Sequence, residues 1–339
     1  MTTASANGQP VTMRDVADAA GVSVATVSLV VNKKKSARIG DATRARVNHA
    51  IKTLGYRPNA LAKNLVSGQS KFIGLVADAI ATTPFAGQII HGAQDEAWKH
   101  GFVLLVANTE GNDDAEREAI TMMLEYQVRG VIYSTWYHRA VEVPAPLKET
   151  DFILVNCYET SRTQRAVVPN EFQGGYAATR IAIERGHRRI AFINTLTHSP
   201  ARDGRLAGYR AALSEARITS HGEIVIDSTP EQEGGYAATR EVLRSGATAV
   251  FCHNDRVAMG LYDGLRRRGV DIPGDVAVVG FDNQEVIAAH LRPPLTTVQL
   301  PHYELGATGV RRLLGVSQSV DNTPAVTEID CPPVIRQST

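Results

Sequence analysis

Two hydrophobic periodicities divide this chain of 339 residues. Up to Leu54 the apolar residues recur at helical spacing; from Phe72 onward, short apolar runs alternate with helix-length amphipathic segments. The runs FIGLVAD (72–78), FVLLVAN (102–108), GVIYST (130–135), FILVNC (152–157), RRIAFIN (188–194), EIVID (223–227), TAVFCHN (248–254), VAVVGFDN (276–283) and LTTVQL (295–300) predict strands. Because they do not alternate apolar with polar, they predict strands covered on both faces, hence parallel sheet with helical crossovers. Several end in a polar residue, at Asp78, Asn108, Asn156, Asn194, Asn254, Asp282 and Asn283. That carboxyl edge is where open parallel sheets bind ligands. The segment EFQGGYAATR (171–180) returns as EQEGGYAATR (231–240), which predicts repeated βα units in the second half.

The stretch from Thr12 to Asn32, TMRDVADAAGVSVATVSLVVN, predicts two short helices around a tight turn. Thr12 caps the first, and Asp15 completes a capping-box-like pair. Val16 and Ala20 mark one buried face, and Gly21 supplies the left-handed turn. Ser23 caps a second helix over about residues 24–31. On it Val27, Val30 and Val31 share one side; Val24, Ala25, Ser28 and Leu29 share another. So small a unit buries one face, so a second face of small uncharged side chains needs another surface to meet. This is the pattern of a helix-turn-helix, whose second helix enters the major groove of DNA. A third helix over about Asp41–Leu54 carries Val47, Ala50, Ile51 and Leu54 as its stripe, and Gly55 stops it.

Between these textures lies RPNALAKNLVSGQSK, from Arg57 to Lys71. Pro58 breaks the chain, Asn59 can cap, and residues 60–66 have the pattern of two helical turns. A helix this short is below the roughly 12–15 residues needed for marginal stability in water. Leu61 and Leu65 have no core of their own, so the segment reads either as a tether or as one that folds against a surface it meets.

Charge sharpens this division. Residues 1–70 carry a net +7 and the remainder −6, which the overall +1 hides. A basic head on an acidic body suits a protein whose head meets phosphates and whose body does not. Lys33, Lys34 and Lys35, directly after the second helix, are placed for phosphate contact. Residues 1–10 read as a disordered start. Cys157, Cys252 and Cys331 are odd in number, lack ligand spacing and lie in or beside apolar runs, as buried thiols in a reducing cytosol would. No signal sequence precedes the head, and no apolar run reaches the roughly 20 residues that span a bilayer. A cytoplasmic protein with no membrane partner is expected. The sequence holds no GxxxxGK[ST] loop, GxSxG elbow, HExxH or CxxC pair. Nothing calls for an enzyme, a metal or a cofactor.

The motifs TMRDVADAAGVSVATVSLVVN, LGYRPNALAKNLVSG, IGL (73–75), GH (186–187), GRLAGY (204–209), CHNDRVAMG (252–260) and VVGFDN (278–283), in this order, resemble the LacI/GalR family of bacterial transcriptional regulators over about residues 11–339. The resemblance implies a small all-α helix-turn-helix head (11–57) plus a hinge helix (58–70). These join an α/β periplasmic-binding-protein-like body of two parallel-sheet subdomains (71–339). The expected divisions are about 71–168 plus 301–324 for the N-subdomain and about 169–300 plus 325–339 for the C-subdomain. Crossings are expected near Val168–Asn170, Leu300 and Thr323–Val326. The family generally acts as homodimers on palindromic double-stranded operators.

Residue by residue, the resemblance implies base reading by Val24, Ala25 and Leu29, and backbone or groove contact by Thr26 and Ser28. Thr12, Ser23, Asn32 and Lys33 complete the expected DNA-binding set on the head. Asn59 and Ala62 match hinge positions near DNA, and Leu65 matches the leucine that wedges into a minor-groove base step. Arg205 matches an effector-binding arginine, and Asn254 and Asp282 match effector-bonding positions; Asp78 and Phe85 are further cleft candidates. Three departures stand out. Leu29 replaces a hydrogen-bonding side chain and would offer apolar contact instead, for example to a thymine methyl. Pro169-Asn170 stands where many members carry Asp-Asn, which removes that acid from the cleft. No heptad-leucine tail follows VIRQST, which argues against a tetramerising helix.

The expected function is a sequence-specific repressor whose operator binding is modulated by a small carbohydrate-like effector in the cleft. The alternatives are a co-repressed or activating regulator, or a soluble sugar-binding receptor without DNA function.

Overall fold

The computed structural model describes residues 11–32, 39–57, 70–83, 85–218, 223–316 and 324–339. The chain divides into two compact units, residues 1–70 and 71–339. Lys33, Asn59, Ala62 and Leu65, with residues 58–69 of the expected hinge segment (58–70), lie outside the described residues.

The first unit contains helices α1 (Met13–Ala20), α2 (Val24–Val31) and α3 (Asp41–Leu54). The predicted capping box is present: Asp15 N donates to Thr12 Oγ1 at 3.3 Å, and Thr12 N donates to Asp15 Oδ2 at 2.7 Å. These contacts, first through the Thr12 backbone, hold the exposed Asp15 carboxyl below its usual range. Gly21 ends α1 at φ +63°, and Ser23 Oγ accepts from Thr26 N at the start of α2. The core is Val16, Ala17, Ala20, Val27, Val30, Val47 and Ala50, closed by Tyr56 from beyond α3.

The second unit holds two six-stranded sheets. The first comprises β1 (Phe72–Ala77), β2 (Val103–Asn108), β3 (Val131–Val141), β4 (Phe152–Glu159), β5 (Ala166–Pro169) and β11 (Val326–Ile329), in the order β11-β5-β4-β3-β1-β2. The second comprises β6 (Ile190–Thr195), β7 (Glu223–Ser228), β8 (Ala249–Cys252), β9 (Ala277–Asp282), β10 (Thr296–Gln299) and β12 (Pro333–Val334), in the order β12-β10-β9-β8-β6-β7. Among the described residues every pairing is parallel except β10 with β12. Helices α4 (Gly87–Lys99) and α5 (Asp113–Glu125) cover the first sheet. Helices α6 (Glu171–Glu184), α7 (Pro200–Glu215), α8 (Gln232–Ser245), α9 (Asp255–Arg266) and the short α10 (Glu285–Ala288) belong with the second. Helix α11 (His302–Leu314) returns to the first, packing Leu305, Val310 and Leu313 against Ile89 and Ala93 of α4.

All nine predicted strand segments form strands; burial on both faces writes itself into the central ones as continuous apolar runs, while the edge strands β2 and β7 are part-exposed. The chain leaves the first sheet after Pro169 and the second after Gln299. Its third passage differs from the expectation near Thr323–Val326. Residues 326–329 pair with β5, so the first half extends past residue 324, and the passage falls between Ile329 and Pro333. The half-exposed sequence VTEI at that sheet edge carries no apolar run that would mark it as a strand. Strand β3 also runs longer than GVIYST, with a register shift between Ser134 and Arg139. An irregularity of this kind re-aims side chains, and it lies where Trp136, Tyr137 and His138 reach the site below.

Candidate functional site

The carboxyl ends of both sheets border a cavity of about 290 Å³. The first half contributes Phe85, Trp136, Tyr137, His138, Asn156 and His302; the second contributes Glu171, Arg205, His253, Asn254, Arg256 and Asp282 among others. Of the five residues expected to hold an effector, Phe85, Arg205, Asn254 and Asp282 line this cavity. Asp78 is not among the lining residues. Its carboxylate accepts from Ala79 N at 2.7 Å and Trp136 N at 2.9 Å, and pairs with Arg139 at 3.1 Å. It therefore holds the cavity wall in place from behind Trp136.

Arg205 is the electrostatic centre. It is 3% exposed, its Nε donates to Glu171 Oε2 at 2.8 Å, and its Nη1 donates to His253 O at 2.6 Å. Asp282 Oδ1 lies 3.8 Å from Nη1, and the guanidinium carbon sits 3.7 Å from the centroid of the Phe281 ring. The fork is thereby fixed on three sides before any ligand arrives, as suits a planar cation with directed donors. Burial alone would raise the Glu171 carboxyl, but Arg205 and then His138 override it and hold it at about 2. Burial pushes Asp282 the other way, to about 6, against the pull of Arg205 and a 2.9 Å bond from Gln284 Nε2. Behind it Asp255 is fully buried and also raised, by burial and by Asp282, while it accepts from Thr297 Oγ1 at 2.7 Å and Gln284 N at 2.6 Å.

Asn254 is largely committed already. Its Oδ1 caps α9 by accepting from Val257 N at 2.9 Å, and its Nδ2 donates to Pro230 O at 2.9 Å. Asn156, Asp282 and the neighbouring Asn283 all have left-handed backbones, with φ of +60°, +99° and +53°. Such conformations in residues other than glycine cluster at functional sites, where the surrounding fold holds them.

Sequence reasoning missed the acid. The absence of a carboxylate at Pro169 suggested that the cleft had lost one; Glu171, two residues on, supplies it, because the first residue of α6 faces Arg205 of α7. It also missed the imidazoles. His138 Nδ1 lies 3.3 Å from Glu171 Oε1, and its Nε2 is buried without a partner among the described residues. His253 Nδ1 is likewise buried without a partner, and burial followed by Arg205 pushes that ring well below its usual pKa. Burial also lowers His302, which stacks on Phe85 at 5.9 Å, to about 4. The signal available was weak: His253 lies inside CHNDRVAMG, but a histidine in an apolar run reads equally well as core.

On the head, the predicted reading face of α2 is open: Val24 is 41% exposed, Ala25 is exposed, and Leu29 is half-buried. The hydroxyls beside it have local partners: Ser23 Oγ lies 2.9 Å from Thr26 Oγ1, and Ser28 Oγ accepts from Asn32 Nδ2 at 3.3 Å. The face presented outward is mainly aliphatic.

Residues 12–59 match the family described as bacterial regulatory proteins, lacI family, and residues 179–339 match a periplasmic binding protein-like domain. Over 332 residues the chain is 32% identical to the HTH-type transcriptional repressor PurR of Vibrio atlanticus, covering 97% of this chain and 98% of that protein. It is 33% identical over 330 residues to the HTH-type transcriptional regulator GalR of Salmonella typhimurium, covering 96% and 95%. Among solved structures, the lac repressor dimer bound to operator and the anti-inducer ONPF is similar, with TM-score 0.80, 26% identity and coverage of 97% of this chain and 99% of that one. A LacI family transcriptional regulator from Enterococcus faecium with bound ribose is similar with TM-score 0.62, 28% identity and coverage of 79% and 98%.

Proposed function

The chain belongs to the LacI family of bacterial regulatory proteins, and from that premise we propose how its two units divide the work. It is a DNA-binding transcriptional repressor with a small-molecule effector, not an enzyme. Val24, Ala25 and Leu29 read bases, with Thr12, Ser23, Thr26, Ser28, Asn32 and Lys33 on the backbone or groove edge. The segment 58–70, with Asn59, Ala62 and Leu65, couples head to body. Two chains meet on a palindromic operator in the cytoplasm, as the operator-bound lac repressor dimer supports by likeness. The effector is a sugar or sugar derivative, held by Arg205, Asp282 and Phe85, with Asn254 as a cap that borders it.

The observation that carries this reading is the buried cluster around Arg205. It lies between two sheets joined by three chain passages, and it includes a residue from the first half, His138. A ligand there touches both halves at once, so it has different contacts in each arrangement of the two and can shift their equilibrium. The test is a gel shift on a duplex selected from random sequence by the full-length protein, with and without a ligand identified by thermal shift. Release of the duplex by ligand is expected; tightening would make the ligand a co-repressor. Failure to select any duplex would revive the sugar-receptor reading.

A further inference from the structure

Three passages of chain join the two halves of the body, after Pro169, after Gln299 and between Ile329 and Pro333. The first and third are tied to each other: Asn170 N donates to Ile329 O at 2.8 Å, and Asn170 Nδ2 donates to Asp330 Oδ1 at 3.3 Å. Such passages act as a hinge; they keep the halves together, and contacts across the cavity set the angle between them. Among the described residues, one side-chain hydrogen bond spans that cavity from half to half, between His138 Nδ1 and Glu171 Oε1 at 3.3 Å. The register shift of β3 between Ser134 and Arg139 brings His138 to it. The Glu171 carboxylate can only accept, so Nδ1 is the donor whatever the charge on the ring.

This bond is built to part. Among the described residues the His138 side chain has no hydrogen bond within its own half; it rests there edge-on against the Tyr158 ring, at 5.5 Å. Glu171 keeps its other oxygen on Arg205 Nε at 2.8 Å, within the second half. When the halves separate, each side therefore keeps a partner in its own half and one bond is lost. A second contact crosses the cavity nearby: the Arg256 guanidinium of the second half lies 5.7 Å from the centroid of the Phe85 ring of the first. Both contacts are direct, protein group to protein group. His138 and Glu171 are only 8% and 5% exposed, and shielding from water makes their bond stronger than one at the surface.

We propose that His138 and Glu171 form a latch that holds the two halves closed on one another with no ligand between them. Closure then depends on two side chains of this protein and not on a ligand alone. The latch stands or falls apart from the reading of the cavity as an effector site, since neither ligand nor DNA enters its test.

The experiment measures the distance between the halves in the full-length protein, without ligand, by pulsed electron paramagnetic resonance. Spin labels are placed on Thr160→Cys and His198→Cys, exposed positions just past the carboxyl ends of β4 and β6, one in each half. The three native cysteines are buried. The protein with the latch intact is expected to show one dominant short distance. His138→Ala, which leaves Glu171 on Arg205, is expected to add a longer distance, with the open-to-closed ratio raised by about tenfold or more. Glu171→Ala is expected to do the same, and the double variant to open no further than either single one. Glu116→Gln disturbs a carboxylate bond within the first half, from Tyr133 Oη at 2.8 Å, and should leave the distance unchanged. Melting temperatures report which variants have folded. A dominant long distance with the latch intact overturns the proposal, as does an unchanged distance in folded His138→Ala, whether or not Glu171→Ala folds. Additive opening in the double variant overturns it too, because the two side chains would then act separately.

Discussion

His138 Nδ1 lies 3.3 Å from Glu171 Oε1, and this contact joins the two halves of the body. His138 stands on β3 of the first sheet, and Glu171 opens α6 over the second. The same carboxylate holds Arg205 through its other oxygen, at 2.8 Å. Glu171 therefore ties the cavity-lining Arg205 to the relation between halves. Breaking a buried ion pair by removing one partner typically costs about 3–5 kcal/mol, because the other charge stays buried. Glu171→Gln should lie near the lower end, about 3 kcal/mol, since Asp282 also faces Arg205. Urea unfolding of the variant checks this. A loss below about 1 kcal/mol would mean that Asp282 alone can hold the guanidinium.

The cluster also makes stability depend on pH, with signs that differ by residue. Asp282, raised to about 6 by burial, holds its proton more tightly in the folded state. Its stabilisation is complete below its unfolded value of 3.8 and is lost as pH rises through about 6. Glu171, held at about 2, stabilises above its unfolded value of 4.5 and loses that contribution as pH falls toward 2. His302, pushed from 6.5 to about 4, contributes above 6.5 and loses its contribution as pH falls through about 4. Asp282 and His302 thus oppose each other over much of the same range, and the wild-type profile alone does not separate them. Asp282→Asn does: its stability relative to wild type should rise by on the order of 3 kcal/mol between about pH 3.5 and 7. Urea unfolding of both proteins across that range provides the difference. A difference that stays flat with pH would remove Asp282 as the titrating group.

What the sequence revealed, and what it hid, follows from whether each feature is local. Nine strands were legible because each is a short apolar run, whether buried on both faces like β1, β6 and β9 or part-exposed at a sheet edge like β2 and β7. The two-residue β12 was not, being too short to show a period; β11 (VTEI) mixes polar with apolar residues at a part-exposed edge, and β5 (AVVP) is a short run ending in proline. The Thr12–Asp15 box and the Gly21 and Gly55 stops were legible because their partners lie within one turn. Glu171 was not, because its partners His138 and Arg205 lie 33 and 34 residues away. Only the fold brings three polar side chains together deeply enough to bury them. Asp78 shows the converse: a carboxylate at a strand end looked like a ligand group, but two backbone amides and Arg139 already occupy it.

The repeated GGYAATR segment has a packing reason that predicts a functional cost. A Cβ on Gly208 of α7 would lie 2.1 Å from Phe172 O and 2.4 Å from Tyr176 N, both on α6. A Cβ on Gly175 of α6 would lie 2.3 Å from Arg205 O. Helices α6 and α7 therefore touch backbone to backbone at the level of the Glu171–Arg205 pair. Gly208→Ala must push them apart, and overpacking of this kind costs about 1–3 kcal/mol. It should also weaken ligand binding by about tenfold or more, since a displacement near 1 Å spoils directed hydrogen bonds. Gly264→Ala, whose Cβ would meet Thr239 Oγ1 at 2.0 Å toward the other end of α9, should destabilise the fold with less loss of ligand affinity. Equal ligand affinity in folded Gly208→Ala and wild type would separate the helix contact from the site.

Leu29 supplies the last prediction, on the head alone. It is half-buried on the open face of α2, beside the exposed Val24 and Ala25, and its side chain has no hydrogen-bonding atom. It cannot fork to guanine as an arginine does; as the proposed base reader it would discriminate by apolar contact, and the thymine methyl is the apolar group of the major groove. One buried methyl is worth about 0.8 kcal/mol, so replacing the facing thymine by uracil in a selected operator should weaken binding roughly three- to fourfold. In Leu29→Ala the same replacement should change little, because the partner of the methyl is gone. Leu29→Arg should instead move the selected base toward guanine. Titrations of the thymine and uracil duplexes against wild type and both variants decide the matter. If wild type binds the two duplexes equally at every thymine of its half-site, the reading of Leu29 as an apolar base reader fails.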